Sequence, residues 1–299
     1  MNYLMFSIMI FSLSAACNSK EKLSPKPYID VQGHRGCRGL MPENSLPAFQ
    51  KALELKVNTL EMDLVVSQDE MVVVSHEPFF REGIAISPKG DTIGPDSHER
   101  YNMFKMPYSD IKRYVIGTVP DPNHPNRENI KTYKPLFRRV VLNTQDYAHS
   151  MEQEEPFYNI EIKRHPDYDG IFHPTVVRYV ELVLAEVKEL GIEEKVIIQS
   201  FDLETLRITK TQNPLLPIAL LIENEQSAQE NIEALGFKPA IYSCYHKSLT
   251  TEAVKYCHDK GVKVIPWTVN EQKDIDAMVA LGVDGIISDY PDRVIATVR

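Results

Sequence analysis

Three features of this sequence predict an α/β fold, and within it a parallel (β/α)8 barrel of the TIM type. Strand-like and helix-like segments alternate from residue 136 onward, and such alternation implies parallel pairing. A helix–glycine–strand punctuation recurs at Gly191, Gly236, Gly261 and Gly282. The strand interiors are apolar on both faces, as in a sheet covered by helices. About eight such units fit the roughly 250 residues of a typical barrel. A doubly wound open sheet is the competing architecture, but no G-x-G-x-x-G turn is present to bind a dinucleotide.

An apolar, β-prone run from Tyr28 to Val31 leads into GHRGCRGLMPEN at 33–44. There glycines let the backbone approach a ligand closely, while His34, Arg35 and Glu43 offer polar chemistry. Residues 44–56 read as a helix, with Asn44 or Ser45 as cap and Leu46, Phe49 and Leu53 at helical spacing. NTLEMDLVVS at 58–67 reads as a strand, Gln68 to Glu70 as a turn, and MVVVSHEP at 71–78 as a second β-rich run. Residues 80–135 are rich in Pro, Gly, Asn and Asp and lack sustained periodicity, apart from a short helix near 108–115. They read as a long insertion or lid. Helices follow at 136–149, 174–190, 202–212, 225–235, 250–260, 271–281 and 291–298. Strands fall at 157–162, 196–200, 217–222, 239–243, 263–267 and 285–288.

Composition narrows the function. The chain has 299 residues, 43% hydrophobic and 25% charged, as in ordinary globular proteins. Its formal net charge of −9 argues against a nucleic-acid partner, which needs a basic surface. Residues 1–16 carry no charged side chain and are mostly apolar. They fall short of the roughly twenty residues of a spanning helix. Ser14, Ala15 and Ala16 then lead into Cys17 and a polar stretch. This resembles a bacterial lipoprotein signal, cleaved before Cys17 so that lipid can be attached there. Residues 17–27 then form a tether and 28–299 the barrel domain. The expected location is the bacterial cell envelope, as a periplasmic or outer-membrane-anchored lipoprotein held through lipidated Cys17. Position −3 is Ser14 rather than the usual leucine, and no Lys or Arg precedes the apolar run. Cys37, Cys244 and Cys257 form no C-x-x-C pair, which removes the common zinc spacings. Cys37 reads as a small filler.

In a barrel the site lies at the C-terminal ends of the strands. Glu61 and Asp63 have period-2 spacing, so both face the barrel mouth while Leu60, Met62 and Leu64 face the helices. Glu161 and Lys163 repeat that spacing in NIEIK, and His34, His76, Gln199, Trp267 and Asp289 all end strands. Adjacent carboxylates in a barrel lose hydration and repel, so they need a cation. An all-oxygen set favours one divalent metal, Ca²⁺ or Mg²⁺. The competing explanation is a salt-bridge cluster with Arg35 and Lys163. Two histidines at one mouth suit general acid–base chemistry. Of the other histidines, His165 and His173 are placed near the mouth, and His98, His124, His149, His246 and His258 are expected to be solvated. Trp267, the single tryptophan, could wall a substrate.

GHRG at 33–36, PEN at 42–44 with AF at 48–49, EMD at 61–63, VSHEP at 74–78, NIEIK at 159–163, QSF at 199–201, PWTVN at 266–270 and SDYP at 288–291 resemble the ordered motifs of the glycerophosphodiester phosphodiesterase family. The resemblance spans roughly residues 29–295. It implies a metal-dependent TIM-barrel hydrolase that converts glycerophosphodiesters to an alcohol and glycerol 3-phosphate. The family's catalytic histidines fall on His34 and His76, its metal carboxylates on Glu61, Asp63 and Glu161, and its phosphate ligands on Arg35 and Lys163. Glu43, Gln199 and Asp289 are expected to support them. The family's usual His-Asp is His76-Glu77 here, which keeps the charge. Two further functions compete: a phospholipase D-like activity on lysolipids, and a non-catalytic surface lipoprotein that binds glycerophosphodiesters.

Overall fold

The computed structural model describes residues 28–94 and 99–299. The signal segment, the whole tether including Cys17, and His98 lie outside the described residues. Eight parallel strands form a nearly closed barrel: β1 (Asp30–Gly33), β2 (Thr59–Val66), β6 (Phe157–Ile162), β7 (Val196–Ser200), β8 (Ile218–Ile222), β9 (Ile241–Cys244), β10 (Lys263–Val264) and β11 (Gly285–Ser288). β11 pairs with β1 in parallel register. The remaining seam, between β10 and β11, is spanned by backbone bonds from Asp284 N to Val264 O at 2.9 Å and from Ile287 N to Pro266 O at 3.0 Å. The expected barrel is therefore present.

The β-rich run after β2 is not a barrel stave. β3 (Val72–Val74) turns back and pairs antiparallel with β2. Three turn residues can reverse a chain but cannot carry the crossover that parallel pairing needs. Glu70 takes φ 57° in that turn.

The insertion is partly folded. Its strands β4 (Ala85–Ile86) and β5 (Val115–Ile116) pair antiparallel, and α2 (Tyr108–Ile111) lies between them in sequence. Phe80, Ala85, Ile93, Met103, Ile111 and Ile116 bury a small core of their own against Val65 and Val73. So small a core leaves no long periodic pattern in the sequence.

Outer helices cover the barrel: α1 (Leu46–Glu54), α3 (Phe137–Ser150), α4 (Val176–Leu190), α5 (Leu203–Gln212), α6 (Ala228–Leu235), α7 (Thr251–Asp259), α8 (Gln272–Leu281) and α9 (Pro291–Val298). Their apolar stripes meet the outward faces of the strands, including Leu60, Met62 and Leu64, in one large core. The barrel interior is divided. Ala219, Ile241, Ile265 and Ile287 make an apolar cluster on one side. Gln32, Thr59, Glu61, Asp63, Asn159, Glu161 and Gln199, contributed by β1, β2, β6 and β7, are buried polar groups on the other. Among the described residues no helix is long and apolar enough to cross a membrane.

Candidate active site

The turn after β1 is built by its glycines. A Cβ on Gly33 would sit 2.0 Å from the Gly36 carbonyl oxygen. Gly36 has φ +88°, and a Cβ there would meet the Ala48 backbone at 2.7 Å. This close packing against α1 turns Arg35 inward at φ 51°. Its backbone N–H donates to Glu61 Oε2 at 2.8 Å and its NH1 to Glu43 Oε2 at 3.0 Å. Arg38 Nε lies 3.2 Å from the same Glu43 oxygen. Cys37 is buried and packs its thiol on the Ala48 carbonyl at 3.2 Å, which matches a filler role.

Strand register assembles the carboxylates. Asp63 is the register partner of Glu161, and Glu61 that of Asn159. Glu61, Asp63 and Glu161 are all buried, and each offers an oxygen within 4.8 Å of the others. Gln199 Nε2 donates to Glu61 Oε1 at 2.8 Å, and Asn44 Nδ2 to Asp63 Oδ2 at 2.8 Å. The two cations are close but do not saturate the group. Arg35 Nε lies 3.4 Å from Asp63 Oδ2 and has no hydrogen-bond partner. Lys163 Nζ lies 3.0 Å from Glu161 Oε1 and 3.9 Å from Asp63 Oδ1.

Burial, then the neighbouring Asp63 and Glu161 charges, push the Glu61 carboxyl well above its ordinary value. Burial raises Glu161 too, against the pull of Lys163. Asp63 is held low because His76, Arg35 and Lys163 outweigh its own burial. The trio therefore carries more negative potential than its partners neutralise. A hard divalent cation fits this set, since it accepts oxygen ligands and relieves the repulsion. The salt-bridge explanation accounts for Asp63 and leaves Glu61 and Glu161 strained.

Each strand-end histidine is held at Nδ1 by a carboxylate. His34 Nδ1 lies 2.6 Å from Asp289 Oδ1, which leaves Nε2 facing the site 4.0 Å from Glu61 Oε2. His76 Nδ1 lies 2.8 Å from Glu77 Oε1, and its Nε2 lies 3.1 Å from Lys163 Nζ. Glu77 thus does for His76 what Asp289 does for His34. Burial holds the His34 imidazole below its ordinary value, opposed by Asp289. A cavity of about 240 Å³ opens among His34, Arg35, Glu61, His76, Lys163 and Trp267. Trp267 is fixed by its indole N–H on the Ser243 carbonyl at 3.0 Å and stands edge-on to Phe201, with ring centroids 5.4 Å apart.

Several polar side chains at or behind this site were not legible as such. Arg38, Asn44, Asn159, His124 and Asn270 all contribute. Asn159 shares the period-2 face of Glu161 and Lys163, a signal that could have found it. It donates to both Gln32 and Gln199. Asn44 is not the helix cap: Ser45 accepts from Ala48 N, which leaves Asn44 for Asp63. His124 is not solvated. It is 6% exposed and approaches Asp289 Oδ2 at 3.4 Å. His173 and His246 are also buried, held by the Pro174, His165 and Trp267 carbonyls rather than in the cavity. His165 is exposed and does not line the cavity.

A buried acidic trio, two oriented imidazoles and two cations at the mouth of a TIM barrel suit the binding and hydrolysis of a phosphoric ester, and a family match places the chain among the phosphoric diester hydrolases. The chain belongs to the glycerophosphoryl diester phosphodiesterase family, whose model matches residues 34–293. A glycerophosphodiester phosphodiesterase of Caldanaerobacter subterraneus is 30% identical over 274 residues, covering 90% of this chain and 97% of the relative. A solved Silicibacter pomeroyi structure with the same family description superposes with a TM-score of 0.79 at 27% identity, covering 91% of this chain and 94% of that one. An Oleispira antarctica phosphodiesterase, solved with its product sn-glycerol-3-phosphate, matches at a TM-score of 0.70 and 20% identity, over 90% and 96% of the two chains.

Proposed function

We propose that this site hydrolyses glycerophosphodiesters to an alcohol and glycerol 3-phosphate in a metal-dependent reaction with His34 and His76 as the acid–base pair. The observation that carries the proposal is the convergence of two carboxylate-held imidazoles, Arg35 and Lys163 on one cavity beside the acidic trio. Glu61, Asp63 and Glu161 would hold Ca²⁺ or Mg²⁺. Held there, such an ion would supply Lewis-acid polarisation of the phosphoryl oxygens. Arg35 and Lys163 bind the phosphodiester and neutralise charge that grows in the transition state. Gln199 and Asn44 fix the carboxylate oxygens, and Glu43 fixes Arg35.

Burial favours the neutral form of His34, against the pull of Asp289. Its Nε2 can therefore accept the proton of the nucleophile, with Nδ1–H anchored on Asp289. His76 is assigned as the acid that protonates the leaving alkoxide. In the free site its Nε2 faces Lys163 Nζ at 3.1 Å. A proton can occupy that nitrogen once Lys163 has turned to the phosphate.

A small substrate fits the cavity, whose 240 Å³ lies below the roughly 300 Å³ where drug-sized pockets begin. The lysolipid reading would have to lay an acyl chain outside it, across Phe201 and Trp267. Release of choline and glycerol 3-phosphate from glycerophosphocholine tests the proposal. Turnover of lysophosphatidylcholine alone would favour the lysolipid reading, and tight binding without turnover the non-catalytic one. Accumulation of a cyclic glycerol phosphate would identify the glycerol hydroxyl as nucleophile rather than water.

The N-terminal segment supports a further part of the proposal: anchoring in the bacterial envelope through lipidated Cys17. Cys17→Ser should release the protein from the membrane fraction or block its processing. Identical partitioning of variant and wild type would contradict the anchor.

A further inference from the structure

Asp289 orients His34 through one oxygen, Oδ1. Its other oxygen is also occupied. Asn270 Nδ2 donates to Oδ2 at 2.8 Å, and His124 Nε2 approaches the same atom at 3.4 Å. Asn270 comes from the segment between β10 and α8. His124 comes from the insertion, from a proline-rich stretch with no helix or strand of its own. Its other nitrogen, Nδ1, lies 2.9 Å from Asp121 Oδ2.

That stretch is itself tied down. Asp121 Oδ1 accepts from Asn123 N at 3.0 Å, Arg127 NH1 lies 3.8 Å from Asp121 Oδ2, and Arg127 NH2 donates to the Val119 carbonyl at 2.6 Å. The Tyr290 ring stands 6.1 Å from the His124 ring, and the Arg38 charge also faces it. An imidazole buried with a carboxylate at each nitrogen must donate from both to satisfy both, so the ring carries a positive charge. In keeping with this, the bond to Asp289 first, against burial, and then that to Asp121 hold His124 above its ordinary value. A cation on Oδ2 keeps the Asp289 carboxylate ionised and fixed in rotation. Oδ1 then stays on His34 Nδ1–H, and the His34 lone pair stays on Nε2 toward the cavity.

We propose that His124 is a positioning residue for the reaction: held by Asp121, it clamps the outer oxygen of Asp289 and thereby fixes the orientation of His34. The insertion on this account supplies part of the working site and is not only a cover for it. The proposal rests on His34 acting at the phosphodiester.

Two substitutions separate this role from a merely structural one. The amide nitrogen of Gln falls near the position of imidazole Nε2, and that of Asn near Nδ1. His124→Gln therefore keeps the donor to Asp289, while His124→Asn keeps the donor to Asp121 inside the insertion. Steady-state rates of the full chain on glycerophosphocholine with Ca²⁺ are the readout. His124→Asn should lower kcat by about 10–100-fold, as when the hydrogen-bond partner behind a metal-bound histidine is removed, with KM unchanged. His124→Gln should recover most of that loss. In an Asp289→Asn background, His124→Asn should cost little more. Asp121→Asn gives a result independent of how well the histidine variants fold, because it leaves His124 in place but loosens it; kcat should fall with KM unchanged.

Equal rates for His124→Gln and His124→Asn would overturn the proposal. So would a loss confined to KM, a full further loss in the Asp289→Asn background, or an unchanged kcat in Asp121→Asn. A His34→Ala variant with wild-type kcat would instead remove the role of His34 itself, and the clamp with it.

Discussion

Asp63 and Glu161 are register partners on adjacent parallel strands, and both side chains point into the barrel mouth. Glu61, two residues before Asp63, completes the trio. Adjacent buried carboxylates repel, and Arg35 and Lys163 compensate them only in part. Chelation should therefore abolish turnover, and Ca²⁺ or Mg²⁺ should restore it. Asp63→Ala should lose activity even with excess metal, since it leaves two carboxylates for a hard cation that prefers about six or more oxygens, counting water. Full turnover after exhaustive chelation, with no metal found by elemental analysis, would contradict this.

The same repulsion makes a stability prediction. The folded-state value of Glu61 is raised, burial being the first cause and Asp63 the second. Such a group favours folding fully below its unfolded value of about 4.3, and that contribution is lost as the pH rises through its folded value. Without metal, Glu61→Gln should accordingly gain Tm over wild type as the pH rises above about 4.3, while its activity is lost. Added Ca²⁺ should raise the wild-type Tm by binding the folded state, and the variant's much less. A variant that is less stable than metal-free wild type at pH 7 would show that the carboxylate is not strained.

Glu77 stands where the family usually has aspartate, and it keeps the contact with His76 Nδ1 at 2.8 Å. Glu77→Ala should lower kcat by about 10–100-fold, by analogy with partners that orient a metal-bound histidine. Glu77→Asp tests whether the longer side chain has been matched by its surroundings, among them Arg81 at 3.5 Å. Wild-type kinetics in Glu77→Ala would remove Glu77 from the site.

The histidine pair predicts a bell-shaped pH–rate profile. The His34 value is lowered by burial, so its acid limb should lie below the ordinary 6.5, with rate falling as the pH drops through it. Each of His34→Ala and His76→Ala should reduce kcat by about 10²–10⁴-fold. The double variant should lose much less than the product, because groups that act as a unit are not additive. With an aryl phosphodiester that needs no leaving-group protonation, His76→Ala should recover and His34→Ala should not. Recovery of His34→Ala instead would reverse the roles, and recovery of neither would mean that the pair orients rather than moves protons.

Much of the fold was legible because the outer helices show their apolar stripes and three of them end at a glycine. α4, α6 and α8 close on Gly191, Gly236 and Gly282, each in the left-handed conformation. Strand alternation likewise placed Glu61 and Asp63 on one face. The direction of β3 was legible only through the short turn at Gln68 to Glu70, which is too brief for a parallel crossover; the apolar run itself carries no sign of how it pairs. His124 was hidden for another reason. Its partner Asp289 is 165 residues away, and no local pattern connects a proline-rich loop to the end of the last strand. Asn44 looked like a helix cap, since its neighbour Ser45 satisfies the same local rule and only the tertiary contact with Asp63 tells them apart.

The central claim is that the acidic trio and the two imidazoles together cleave a glycerophosphodiester. Its most direct test is glycerol 3-phosphate release from glycerophosphocholine by the purified protein, followed before chelation, after chelation and after Ca²⁺ or Mg²⁺ is added back. Product formation should stop with chelation and return with metal. Undiminished release in the chelated protein, or no release under any metal condition, would contradict it.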